Sequence, residues 1–107
     1  MIMNMEKIGN TLVVKLSGEL DHHFANEIRI EVDNEIKMKK IKNLVFDFKR
    51  VTFMDSSGIG VIIGRYKQIN AMGGKTLIIR ACPQVDKILE LSGIKKLIEI
   101  KENMGVQ

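Results

Sequence analysis

Tryptophan is absent from this chain of 107 residues, tyrosine and proline occur once each, and aromatic residues make up only 5%. A surface that reads nucleic acid by stacking needs aromatics beside its lysines, so the net charge of +4 is expected to be a solvated basic surface. No nucleic-acid partner is therefore expected. The single cysteine, Cys82, cannot close an intrachain disulfide, and nothing around it in sequence makes a redox pair or a metal site. It is read as a small, partly buried filler. Apolar clusters are only a few residues long, and the N-terminus lacks the charged-then-apolar order of a secretory signal. A cytoplasmic protein without membrane attachment is the expectation.

What is present is a hydrophobic content of 45%, enough for one domain over residues 1–107, with its core within about 3–100 and a mobile tail over 101–107. Gly9-Asn10 reads as a hairpin turn between a weakly alternating segment at 3–8 and a strand from Thr11 to Ser17. Gly18-Glu19-Leu20 breaks the alternation and leads to a helix capped by Asp21, whose Phe24, Ile28, Val32 and Ile36 recur every four residues. Ile30 falls on the wrong face of that helix. Lys42 to Phe48 reads as a second strand, with Leu44, Phe46 and Phe48 on one face and Val45 and Asp47 on the other, Asp47 taken as an edge or strand-end carboxylate. Residues 50–54 are read as a connection. Farther on come a short strand over Thr76 to Ile79, a helix opened by Pro83 and ended by Ser92-Gly93, and a last strand at Leu97 to Ile100. The order ββαβαβαβ implies an α/β fold with a mixed, mostly parallel sheet.

The chain is organised around residues 53–72. Asp55, Ser56 and Ser57 are residue types that accept hydrogen bonds from the first NH groups of a helix, so a helix begins there, with Ser57 as the expected cap. Ile59, Ile62, Ile63, Tyr66 and Ile69 form its apolar stripe, and Gly73-Gly74 stops it. Gly60 and Gly64 fall on another face together with Ser57. Each glycine costs about 1 kcal/mol against alanine inside a helix, so their placement implies close approach by another backbone. Spacing favours a neighbour within the same domain over a second protein. The serines also have two readings. They are ordinary capping residues, or one of them is a phosphorylation site at a helix N-terminus, where free NH groups and the helix dipole accommodate a phosphate.

Other chemistry is poorly served. A serine hydrolase needs a base against its nucleophile, and the two histidines, His22 and His23, both lie at another helix start. Adjacent histidines diverge in direction and have no third ligand in sequence, so no metal is expected. Gly58, Gly60 and Gly64 carry no phosphate-loop lysine, so no cofactor is assigned.

The run Met54-Asp55-Ser56-Ser57-Gly58-Ile59-Gly60-Val61-Ile62-Ile63-Gly64-Arg65-Tyr66-Lys67-Gln68-Ile69, with Gly18-Glu19-Leu20-Asp21-His22-His23 upstream, resembles the bacterial anti-sigma factor antagonists of the STAS-domain family. The pair Leu-Asp-His-His and Gly-Arg-Tyr-Lys-Gln-Ile resembles the sporulation branch, and the likeness spans essentially residues 3–100. It implies a single STAS domain with the same element order and a further C-terminal helix, expected to be short or missing here. It also implies phosphorylation on Ser56 by an anti-sigma factor that is a serine kinase, with ATP and Mg belonging to that partner, and a serine phosphatase that resets the switch. The free protein is expected to be a monomer and not an enzyme. Partner contacts implied by the resemblance are Asp21, His22 and His23 on one loop and Asp55, Ser56, Ser57, Gly58, Gly60 and Gly64 on the other. Alternatives are a STAS regulator of another stress or signalling pathway and a phosphocarrier.

Overall fold

The computed structural model describes residues 2–104 and follows the order ββαβαβαβ. Strands β1 (Ile2–Ile8) and β2 (Thr11–Leu20) form an antiparallel hairpin, and helix α1 (His22–Met38) carries the chain to β3 (Asn43–Met54). Helix α2 (Ser56–Ala71), β4 (Thr76–Ile79), α3 (Pro83–Ser92), a 3-10 turn at Ile94–Lys96 and β5 (Glu99–Lys101) follow. The strands lie in the order β1-β2-β3-β4-β5, with β1 antiparallel and every later neighbour parallel. Right-handed crossovers that always step in the same direction put the three helices on one face of the sheet.

Alternation along the strands sets what that face buries. Leu12, Val14, Leu16, Leu44, Phe46, Phe48 and Ile78 meet Ile28, Val32 and Ile36 of α1, Ile62 and Ile69 of α2, and Val85 and Leu89 of α3 in one core. Each fully buried side chain of this size contributes about 1.5–3 kcal/mol. The opposite parity, Val13, Val45 and Ile79, forms a smaller cluster on the other face. Ile30 is 44% exposed, as its position off the helix stripe requires.

Both strands that lead to the central helices run farther than the alternation predicts. β2 continues through Gly18-Glu19-Leu20, and residues 50–54 belong to β3 rather than to a connection. The reason is that β3 bulges twice. Lys15 pairs with Asp47 but Ser17 with Arg50, and Gly18 pairs with Val51 but Glu19 with Phe53, so β3 takes 12 residues to match 10 of β2. Its buried positions after Phe48 are then Val51 and Met54, at intervals of three rather than two. Near the C-terminus, the turn at Ile94–Lys96 delays the last strand to Glu99, and Lys101 belongs to that strand, its carbonyl accepting from Arg80 N at 2.9 Å. The rest of the expected tail is outside any strand as far as Met104, and residues 105–107 lie outside the described ones.

Asp47 is neither at an edge nor at a strand end. It sits on the central strand β3, 4% exposed, and accepts from Arg80 Nε at 3.2 Å, from a second Arg80 guanidinium nitrogen, and from Lys49 N at 3.1 Å. Burial pushes its carboxyl up, but the Arg80 hydrogen bonds, the Lys49 amide and the nearby Lys15 charge outweigh that and hold it below the usual carboxylate range. Arg80 reaches it from a left-handed backbone, φ 60°, which costs a side-chain-bearing residue about 1–2 kcal/mol.

Because the folded carboxyl is depressed, its contribution to stability is complete above the unfolded value near pH 4 and is lost as the pH falls through the folded value. Asp47→Asn is expected to lower stability at neutral pH by about 1–2 kcal/mol, discounted for the partial exposure of Arg80, and to flatten the acid limb of a plot of urea midpoint against pH. An acid limb identical to that of the wild type would show that the pair contributes nothing.

Candidate functional site

Pairing of β2 with β3 persists to their last residues, Leu20 opposite Met54, so the next residue of each chain segment, Asp21 and Asp55, arrives at the same corner of the sheet. Each is the N-cap of its helix. Asp21 Oδ1 accepts from His23 N at 3.0 Å, and Asp55 Oδ1 accepts from Ser57 N at 2.9 Å and Gly58 N at 3.3 Å. Asp55 Oδ2 reaches across to accept His22 N at 3.2 Å. One carboxylate therefore caps α2 and also takes the first NH of α1, which locks the two helix starts together.

The imidazoles follow the caps. His22 Nδ1 lies 3.8 Å from Asp55 Oδ2, His23 Nδ1 lies 3.5 Å from Asp21 Oδ2, and the two rings stack with centroids 4.1 Å apart. At Asp21, burial opposes ionisation, but the hydrogen bonds and charge of His23, with a smaller contribution from His22, bring the carboxyl below its usual range. Each ring faces the carboxylate of a cap, and neither hydrogen-bonds a serine. The base–nucleophile pair of a serine hydrolase is not assembled here.

Ser56 is the first residue of α2 and is exposed, and no hydrogen bond among the described residues engages its hydroxyl. Ser57, expected to cap the helix, does not. Its own NH is a donor to the true cap, Asp55. The free NH groups expected to receive a phosphate are likewise reduced, since those of Ser57 and Gly58 are already held by Asp55.

The glycines divide between the two readings. A Cβ on Gly58 would lie 2.7 Å from the Leu20 carbonyl oxygen and 2.8 Å from the Leu20 side chain, so this glycine serves contact within the domain. A Cβ on Gly60 or Gly64 would meet nothing within 4 Å. The intramolecular explanation expected from spacing for Gly60 and Gly64 thus fails at both, where the backbone faces open space, and it is Gly58, outside that expectation, that is held against its own domain. The buried stripe of α2 is also rotated from the expected one, comprising Gly58, Val61, Ile62, Arg65 and Ile69, while Ile59, Ile63 and Tyr66 are half-buried.

Arg65 belongs to that buried face. Its Nε lies 2.9 Å from Asp33 Oδ1 of α1, a charge contact whose N–H is not aimed at the oxygen, and its guanidinium also donates to Val61 O at 3.4 Å. Burial lowers the Arg65 pKa, Asp33 opposes the shift, and Arg29 adds to it. Beside Arg65 a cleft of about 330 Å³ runs between the helices, walled by Ala25, Asn26 and Arg29 on one side and by Ser57, Gly60 and Arg65 on the other. Arg29 and Arg65 were not singled out from sequence. A charged residue four positions from both Val61 and Ile69 is the signal that could have found Arg65.

Comparison with known proteins identifies the fold. The family model of the STAS domain matches residues 3–106. The chain belongs to the STAS-domain family. It is 42% identical over 101 residues to the anti-sigma F factor antagonist of Paenibacillus polymyxa, covering 94% of this chain and 86% of that one. Among solved structures, the anti-sigma factor antagonist SpoIIAA in its unphosphorylated form is 32% identical with a TM-score of 0.72, over 84% of this chain and 83% of that one. The Bacillus cell fate determinant SpoIIAA in the phosphorylated form is 31% identical with a TM-score of 0.74, over 92% and 90%. No described helix of this STAS domain is long and apolar enough to cross a membrane.

The corner of the STAS domain holding Ser56 therefore depends on Asp55 and on the missing side chain at Gly58. Asp55→Ala removes a cap and strands the His22 amide, and is expected to cost about 1–2 kcal/mol in urea denaturation. Gly58→Ala forces the helix start off Leu20 and is expected to cost about 1–3 kcal/mol. Gly60→Ala, with open space around it, is expected to gain up to about 1 kcal/mol. Equal effects of the two alanines would refute the division of the glycines.

Proposed function

We propose that this STAS domain is an anti-sigma factor antagonist. Unmodified, it docks through Ser56, the bare backbone at Gly60 and Gly64, and the Asp21-His22-His23 corner onto an anti-sigma factor that is also a serine kinase, and thereby frees a sporulation sigma factor. Phosphorylation on Ser56 ends the interaction, and a serine phosphatase restores it. The observation that carries this reading is the position of Ser56: an exposed, unengaged hydroxyl at the start of a helix whose adjoining surface has been stripped of side chains.

The chemistry belongs to the partner. Ser56 Oγ forms a bond to the γ-phosphorus of the kinase's Mg-bound ATP, the bond to the β,γ-bridging oxygen breaks, ADP leaves, and the hydroxyl proton passes to a base on the kinase. This domain acts as a substrate and regulator rather than an enzyme, with no cofactor of its own. It is a free monomer in the cytoplasm until it docks, and it contacts neither nucleic acid nor membrane.

The phosphate acts through desolvation. Asp55 already holds the amides of Ser57 and Gly58, so a phosphate on Ser56 stays outside the cap, next to a carboxylate, carrying about 1.5 to 2 negative charges. Burying that group unpaired in a contact formed around a neutral hydroxyl costs several kcal/mol, and about 2.7 kcal/mol is already a hundredfold in affinity. A large rearrangement is not needed for the switch.

Incubation with an anti-sigma serine kinase and Mg-ATP is expected to place one phosphate on Ser56, located by mass spectrometry, and to weaken binding about a hundredfold or more. Ser56→Asp should weaken binding in the same direction, while Gly60→Ala should weaken it without loss of fold stability. Phosphate on Ser57 instead, or a Ser56→Asp variant that binds as tightly as wild type, would overturn the assignment.

A further inference from the structure

The cleft between α1 and α2 carries an unbalanced positive charge. Arg65, paired with Asp33 outside the cleft, lines it on one side, and Arg29, whose guanidinium donates to Asn26 Oδ1 at 2.6 Å, lines it on the other. Asp33 is one helical turn beyond Arg29 and would be its natural i,i+4 partner, but its carboxylate is turned to Arg65. No carboxylate comes within 4.0 Å of Arg29 among the described residues. Ala25 and Gly60 leave room in the cleft, which opens directly onto Ser57. The result is an exposed, planar, permanently charged fork with one hydrogen-bond partner, held at the edge of a recess next to the docking corner.

We propose that Arg29 receives an acidic side chain, Asp or Glu, of the docking partner, which enters the cleft over Gly60 and pairs with the guanidinium through two parallel hydrogen bonds. The inference rests on the docking reading above and adds to it the chemistry of the partner's contact. Charge complementarity selects the occupant. Arg29 and Arg65 both line the cleft and no carboxylate does, and Asp33 outside it offsets only Arg65, so an incoming carboxylate is attracted while a lysine or arginine is repelled. The fork geometry matches a carboxylate better than a point charge does. Arg29 thus serves recognition and takes no part in transfer of the phosphate.

The experiment measures binding of the unphosphorylated chain to the anti-sigma serine kinase at low and high salt for wild type, Arg29→Ala, Arg29→Lys and Arg29→Glu. Thermal melts confirm that each variant is folded, as exposure of Arg29 predicts. Arg29→Ala is expected to weaken binding about tenfold and to reduce its salt dependence, Arg29→Lys to fall between alanine and wild type, and Arg29→Glu to weaken it further than alanine. A kinase mutated at the matching acidic residue is expected to bind wild type and Arg29→Ala equally. If wild type binds and all three variants bind as well as it does, the docking face stands and the Arg29 contact is refuted. If the variants alter only binding of the Ser56-phosphorylated chain, Arg29 serves the phosphate and the proposal is overturned. A wild-type chain that binds no such kinase removes the docking face itself, and the contact with it.

Discussion

The pairing of β2 with β3 through Leu20 and Met54 is the constraint on which the site depends. It delivers two aspartates to one corner, and the Asp55 amide donates back to Leu20 O at 3.3 Å, so the turn into α2 is part of the ladder. Adjacent parallel strands lie about 4.8 Å apart, so the connections that follow them leave side by side. Here the two connections begin within hydrogen-bonding reach of each other, and Asp55 bonds to both helix starts. Gly58 completes the arrangement because any side chain there would collide with the Leu20 carbonyl that anchors the turn.

Rigidity at that corner has a consequence for how a modification is felt. A helix start with free amides would fold itself around a phosphate and share its charge. Asp55 has already taken the amides of Ser57 and Gly58, so charge added at Ser56 remains at the surface, where an approaching protein must desolvate it. In the proposed switch, the carboxylate that caps α2 leaves the Ser56 hydroxyl unengaged and would keep a phosphate there outside the cap.

The surface of α2 separates two demands that a helix rarely meets together. Toward the sheet it needs apolar contact, supplied by Val61, Ile62 and Ile69, and toward α1 it carries Arg65 on Asp33. This partly buried ion pair contributes little net stability once desolvation is counted, and it lies on the face of α2 that meets α1. That orientation turns Gly60 and Gly64 outward rather than into the core.

Much of this was legible in residue order alone. The alternation of Leu12, Val14 and Leu16, the four-residue recurrence of Ile28, Val32 and Ile36, the Asp21 cap and the glycine stop after α2 are local patterns, and local patterns determine elements because backbone geometry repeats with a short period. The ends of β2 and β3 were not legible, because bulges replace a period of two by one of three and only the partner strand shows it. Nor were the burial of Asp47, the sharing of Asp55 between two helices, or the outward turn of Gly60. Those depend on residues more than 30 positions apart meeting in space, as Asp47 meets Arg80 and His22 meets Asp55, and such encounters are decided by the packing of the whole sheet.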